Sequence, residues 1–250
     1  MQQVTRLESG YWGTSMGIFS ELLLELLKPS INKWKGDIGE KLVIRELRDS
    51  SYRALWNLML VDENGHSHQI DAVAVGRGGV FAIEVKTYAG KIIGSPSYKE
   101  WVQYLSGTKN RFLSPLCQNS SHRRLLESKI NRHVNSLVVF VNDNAPTGMY
   151  NVINLSGLRK YLDAFRPSGP ELSDDEIDGL CQDIASYHHS EISNRAHVKD
   201  IRQTGKELRK GICPRCGTPM VRKEGRYGPY WKCPKEGCGY HITEAKMKGR

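Results

Sequence analysis

Four cysteines in two close pairs, Cys213 with Cys216 and Cys233 with Cys238, constrain this chain more than any other feature of it. Each pair sets two sulfurs on a tight backbone knuckle, and the 16-residue spacer between the pairs is long enough for a hairpin. Gly217, Gly237 and Gly239 offer the unusual backbone angles that such knuckles need. Tetrahedral zinc wants four soft ligands, so these side chains are expected to close around one structural Zn²⁺. The spacer is that of a zinc ribbon, although the second pair is wider than the usual two residues. Four unmetallated thiols are the alternative. His241 is expected to be a bystander, and the isolated Cys117 and Cys181 to be small buried hydrophobes. With no export signal in the sequence, a metal site is favoured over a disulfide framework and a cytoplasmic location is expected.

Charge points to the same end of the chain. The net charge is +9, and residues 199–250 carry 14 Lys and Arg against 5 Asp and Glu, so the preceding part is balanced. A neutral body with a basic tail suggests a polyanionic partner at the tail, most often nucleic acid. Around the cysteines, Arg222, Lys223, Arg226 and Lys232 alternate with Tyr227, Tyr230 and Trp231. Cations attract phosphates and aromatic faces stack on unpaired bases, while some of these rings are expected to form the module's small core. At 39% hydrophobic and 25% charged residues, the composition is that of a globular chain. The longest apolar stretch, Met16–Leu27, is interrupted by Glu21 and Glu25 and is too short to span a bilayer. It reads as a helix packed on the main domain, and no membrane partner is expected.

Four regions follow from the pattern: a helical segment over 1–34, an α/β domain over 35–165, a helical extension with a basic linker over 166–210, and the ribbon over 211–250. Within the α/β domain a helix over roughly 37–48 precedes strands near 52–61, 68–75 and 79–86, then a helix over 116–132 and a strand over 137–142. Ser173 to Glu176 has the form of a capping box that opens a further helix. The sequence therefore predicts a central sheet that begins as a meander and is flanked by helices on both sides.

A second chemical signal lies in those strands. Glu84 and Lys86 are two apart and share a strand face. The turn at Gly76–Gly79 pairs residues whose numbers sum to 155, which brings Asp71 opposite Glu84. Like charges directly opposed are destabilising, and a divalent cation is the natural offset. Lys86 beside them is placed to stabilise charge on a phosphate or to orient an attacking water. Glu40 occupies a slot of the stripe 40, 43, 44, 47 that is otherwise Val, Ile and Leu. Gly39 beside it costs about 1 kcal/mol against Ala in a helix interior, which suggests a close backbone approach. His66, His68, His188 and His189 have no ligand-like spacing to these carboxylates and read as surface residues.

Gly36 to Glu40, Gln69 to Asp71, Gly79 to Lys86 with Tyr88 and Gly90, then Trp101 and Pro115 to Gln118, resemble the nuclease-related domain (NERD) family of the PD-(D/E)xK nuclease superfamily. The resemblance covers about residues 35–145 and implies a restriction-endonuclease-like mixed sheet. It implies that Asp71 and Glu84 bind Mg²⁺ or Mn²⁺ with the Val85 carbonyl as a further ligand, that Lys86 is the catalytic lysine, and that Glu40 and Gln118 support them. Ile70 stands where the superfamily name expects proline. Residues 212–241 resemble the C4 zinc finger of bacterial type I topoisomerases, which implies DNA binding, single-stranded DNA above all.

The expectation is thus a metal-dependent nuclease that hydrolyses DNA, its strand held near the site by the zinc module on a linker. The alternative is a DNA-binding accessory protein with a silent nuclease fold. RNA stays open as a ligand, because nothing in the sequence reads a 2′-hydroxyl. No phosphate-binding loop of the Walker type is present, so no ATP site is expected. Oligomeric state and pathway are not legible.

Overall fold

The structure, a computed structural model, describes residues 36–248. The helix expected over Met16–Leu27 lies outside the described residues.

The chain enters as helix α1 (residues 36–48) and then forms the expected meander: β1 (Arg53–Val61), β2 (Ser67–Gly76) and β3 (Gly79–Lys86). The β2–β3 ladder runs from Gly76↔Gly79 to Ala72↔Ile83, the register that the symmetric turn requires. Between β3 and the next strand of this sheet the chain makes a separate antiparallel sheet of β4 (Lys91–Ile93), β5 (Glu100–Leu105) and β6 (Thr108–Leu113), then helix α2 (Pro115–Ile130). β7 (Val134–Phe140) and β8 (Val152–Asn154) complete the main sheet in the order β1-β2-β3-β7-β8. Pairing is parallel from β3 onward. A short 3-10 turn and α3 (Leu158–Ala164) follow, then α4 (Asp174–Ser186) and α5 (Asn194–Arg209).

Alternating strand residues feed two cores. On one face Val73, Val75, Val80, Ala82 and Val134 meet Leu126 of α2 and Ile177, Leu180 and Ile184 of α4. On the other, Ala72, Ala74, Phe81, Ile83, Leu137 and Val139 meet Val43 and Leu47 of α1 and Leu158 and Leu162 of α3. The small sheet packs beside β7 and β8 through Trp101, which is fully buried and stacks on Phe140 with ring centroids 6.3 Å apart. The capping box is present: Glu176 N–H donates to Ser173 Oγ, and the Ser173 N–H donates to the Glu176 carboxylate at 2.9 Å.

The C-terminal module is a three-stranded antiparallel sheet of β9 (Val221–Gly225), β10 (Gly228–Lys232) and β11 (His241–Thr243), ended by the short helix α6 (Glu244–Met247). The expected linker differs. Residues 194–209 are helix α5, capped by Ser193, whose hydroxyl accepts from Ala196 N–H. This helix docks on β2: Asp200 accepts from Ser67 N–H at 2.7 Å and Ser67 Oγ–H at 2.9 Å, and His197 Nδ1 lies 2.8 Å from Ser67 Oγ. At its far end Leu208 joins the small core of the module. Asn64, in the turn between β1 and β2, donates to the Arg215 carbonyl at 2.7 Å. The module is thus tied to the body by a helix and a turn. No helix among the described residues is long and apolar enough to cross a membrane.

Candidate active site and four-cysteine centre

The main-chain ladder between β2 and β3 stops at Ala72↔Ile83, one position short of the expected Asp71–Glu84 pair. From there β3 continues alone against β7. The Asp71 carboxylate takes over from the backbone and accepts the Val85 N–H at 2.8 Å. Where the two strands part, carboxylates collect at the C-terminal end of β3, the end at which open sheets with parallel strands gather their ligands.

Glu84 is only 1% exposed. Its Oε1 accepts from Lys86 Nζ at 2.5 Å, and Lys86 Nζ also donates to Gln118 Oε1 at 3.1 Å. Its Oε2 lies 3.4 Å from His122 Nδ1, an ion-pair contact when the imidazole is protonated, and neither of these buried atoms makes a hydrogen bond. Burial alone would raise the Glu84 pKa, but His122 and the Lys86 ammonium more than offset it and hold the carboxyl below its usual range. Burial works against the Lys86 charge, and Glu84 outweighs it, so the ammonium titrates above its usual value. Asp71 is pushed up to about 6 by burial and then by Glu84. Glu40, at the start of α1, is pushed up to about 7, first by burial and then by Asp71, Asp37 and Glu84.

α1 reaches this site because Gly39 has no side chain. A Cβ there would overlap the Thr87 methyl and press on Val141. α2 approaches from the opposite face. Asn119, fully buried, donates its amide to the Ala82 carbonyl at 2.8 Å and the Leu137 carbonyl at 3.0 Å, one from each of β3 and β7. That clamp sets Gln118 and His122 over Lys86 and Glu84. The structure therefore brings Glu40, Asp71, Glu84, Lys86 and Gln118 to one strand end.

His122 escaped the sequence reading. It stands with Pro115, Asn119 and Leu126 on the buried stripe of α2, and a polar residue in such a stripe is the signal that singled out Glu40. The expectation of surface histidines holds for the exposed His188 but needs correcting for His66 and His68. His66 and His68 are half-buried, His68 bonding Asp62 at 3.2 Å and facing the His122 ring edge-on at 6.5 Å. His188 Nδ1 accepts the Met59 N–H at 3.0 Å.

In the C-terminal module the four sulfurs lie within 4.8 Å of one another, Cys213 to Cys238 at 3.6 Å and Cys216 to Cys233 at 3.4 Å. Four Zn–S bonds of about 2.3 Å in a tetrahedron put sulfurs about 3.8 Å apart, so the cluster fits a tetrahedral ion. Among the described residues no other group of three or more histidine, cysteine or carboxylate side chains converges so tightly. The carboxylate site thus offers no closed cage. An open set of carboxylates suits a divalent cation that keeps several of its waters. Glu84 Oε2, which makes no hydrogen bond, and the crowded acids fit a cation there.

The structure separates the aromatic residues of the module. Trp231 packs into its small core with Tyr240 and Ile242, and Tyr230 is half-buried. Tyr227, at the tip of the β9–β10 hairpin, is 93% exposed with the Arg226 guanidinium 5.9 Å from its ring centre. Arg222 is engaged by Glu224 at 2.6 Å and Glu244 at 3.2 Å, whereas Lys223 and Lys232 are exposed.

A mixed sheet with flanking helices and acidic groups at its strand ends defines a nuclease-like α/β class. The chain belongs to the nuclease-related domain family, whose model matches residues 35–141. An uncharacterised protein of Bacillus anthracis is 30% identical over 190 residues, spanning 71% of this chain and 88% of that relative. No solved structure matches it.

Proposed function

We propose that this protein is a metal-dependent nuclease that hydrolyses DNA phosphodiester bonds. The observation that carries the reading is Glu84: a carboxylate sealed at a strand end, with one oxygen on Lys86 and the other without a hydrogen bond, 3.4 Å from His122 Nδ1. Asp71 and Glu84, with the Val85 carbonyl, would hold Mg²⁺ or Mn²⁺. The ion would neutralise charge on the phosphate and lower the pKa of a bound water. Lys86, kept charged by Glu84 and oriented by Gln118, is a fixed cation for the scissile phosphate rather than a base. Glu40, raised to about 7 without a metal, would be lowered by a cation on Asp71 and Glu84, and as a carboxylate it is suited to accept a proton from water. The four-cysteine module would carry structural Zn²⁺. Its exposed Arg226 and Tyr227, with Lys223 and Lys232, are the groups best placed to engage single-stranded DNA of the topoisomerase-finger kind.

A second reading, a silent nuclease fold that only binds DNA, is favoured by one observation. The Lys86 ammonium already offsets the charge of Glu84 without a metal, and His122 flanks its other oxygen. Incubation of plasmid, linear duplex, single-stranded DNA and matched RNA with Mg²⁺ or Mn²⁺ separates the two. The nuclease reading predicts DNA cleavage that Asp71→Ala and Lys86→Ala abolish. Binding of DNA with no cleavage under either metal supports the silent fold.

A further inference from the structure

A cleft of 980 Å³ opens beside the carboxylate site, and its two walls differ in charge. One wall carries Asp37 and Glu40 of α1; the other is helix α5, through Arg195, Lys199 and Arg202. The three cations stand at i, i+4 and i+7, so they form one stripe along the helix. α5 docks through a different stripe, His197, Asp200 and Thr204, which bond to His66 and Ser67. Docking therefore leaves the basic stripe uncommitted. Among the described residues none of the three cations makes an ion pair, although two carboxylates line the same cleft. The walls are held apart across a gap. Three exposed cations facing acids without contact leave room for a ligand between them, and a polyanion suits the cation-lined side.

We infer that the basic stripe of α5, Arg195, Lys199 and Arg202, binds the phosphate backbone of the DNA strand and leads it past Glu40 to the strand-end carboxylates. This deepens the nuclease reading and rests on it for the nature of the ligand. α5 then serves as one wall of the active-site cleft and as the rigid arm that ends in the four-cysteine module. A strand held by that module would run along α5 on its way to Glu84.

The test is DNA affinity as a function of salt, measured by fluorescence anisotropy on the full-length zinc-loaded protein. A Glu84→Gln background keeps the strand uncut. Replacing Arg195, Lys199 and Arg202 together by Ala keeps good helix formers on an exposed face. The expected result is a loss of about tenfold or more in affinity and a log–log salt slope shallower by about 2, since single strands lose about 0.7 per cation. The charge-conserving triple R195K/K199R/R202K should keep the slope of the parent. Unchanged affinity and slope in the Ala triple, or an equal loss in the charge-conserving triple, would overturn the inference. So would a loss seen with matched RNA and absent with DNA. The readout does not need cleavage. A shallower slope in a protein that cleaves nothing would uphold this surface while the hydrolytic reading fell.

Discussion

Burial and the surrounding carboxylates raise Glu40 to about 7, and burial with Glu84 raises Asp71 to about 6. An acid whose folded pKa lies above its unfolded one stabilises the fold fully below the unfolded value, and that stability is lost as pH rises through the folded value. Glu84 is shifted the other way and acts only at lower pH. Without added divalent metal, these two acids should therefore pull the denaturation midpoint down between about pH 4 and pH 7, opposed by His197, whose pKa is lowered by burial and then by His68. Glu40→Gln should flatten the upper part of that fall, and Mg²⁺ should recover stability at neutral pH. A midpoint that ignores pH in both proteins would contradict the described crowding. Asn119 has a different task. Replacing it by Ala leaves the Ala82 and Leu137 carbonyls without its amide and should cost about 1–3 kcal/mol by denaturant titration. The sequence showed Glu40 because a charge in an apolar stripe is conspicuous. His122 and Asn119 occupy the same kind of slot on α2, but histidine and asparagine sit less oddly among apolar residues, and their meaning depends on which strand they meet.

At the scale of elements, two glycines in helices should respond in opposite directions. Gly179 in α4 has nothing within 4 Å of a built Cβ, so Gly179→Ala should stabilise by about 1 kcal/mol through helix propensity. At Gly39 the stiff β-branched Thr87 blocks the Cβ. Gly39→Ala should instead destabilise, by about 1–3 kcal/mol, and push α1 and Glu40 from the strand end. Thermal melts of both variants measure the contrast, and a stabilising Gly39→Ala would show that α1 does not approach as described. The meander, α2, β7 and α4 were legible because their apolar alternation, stripe or cap is strong. β4 to β6 were not. β4 is three residues long and β6 buries almost nothing, its single half-buried residue being Phe112. α5 resembles a linker in sequence because the face it docks is polar: His197 and Asp200 bond to Ser67 of β2 and Thr204 to His66 just before it, where apolar periodicity would ask for Leu and Val.

In the whole molecule, the sheet and the four-cysteine module are joined more tightly than the charge count suggests. The basic segment is a helix docked on the sheet, with Leu208 in the module's core and Asn64 bonded to Arg215. A flexible tether raises effective concentration, whereas a fixed arm sets direction. Removing zinc by chelation should unfold residues 211–248 and leave the sheet intact, because the module's small core is built around Cys213, Cys233 and Cys238 themselves. Hydrogen exchange would show protection lost in β9 to β11 and kept in β1 to β3; full protection in both would contradict a structural metal. If the acids at the end of β3 form a working hydrolytic site, single-turnover cleavage of a labelled single strand in Mg²⁺ should show it. The intact protein should cleave, and both Glu84→Gln and Lys86→Ala should lose about 100-fold or more. Equal rates in all three proteins, or no cleavage by the intact protein with Mg²⁺ or Mn²⁺, would contradict such a site.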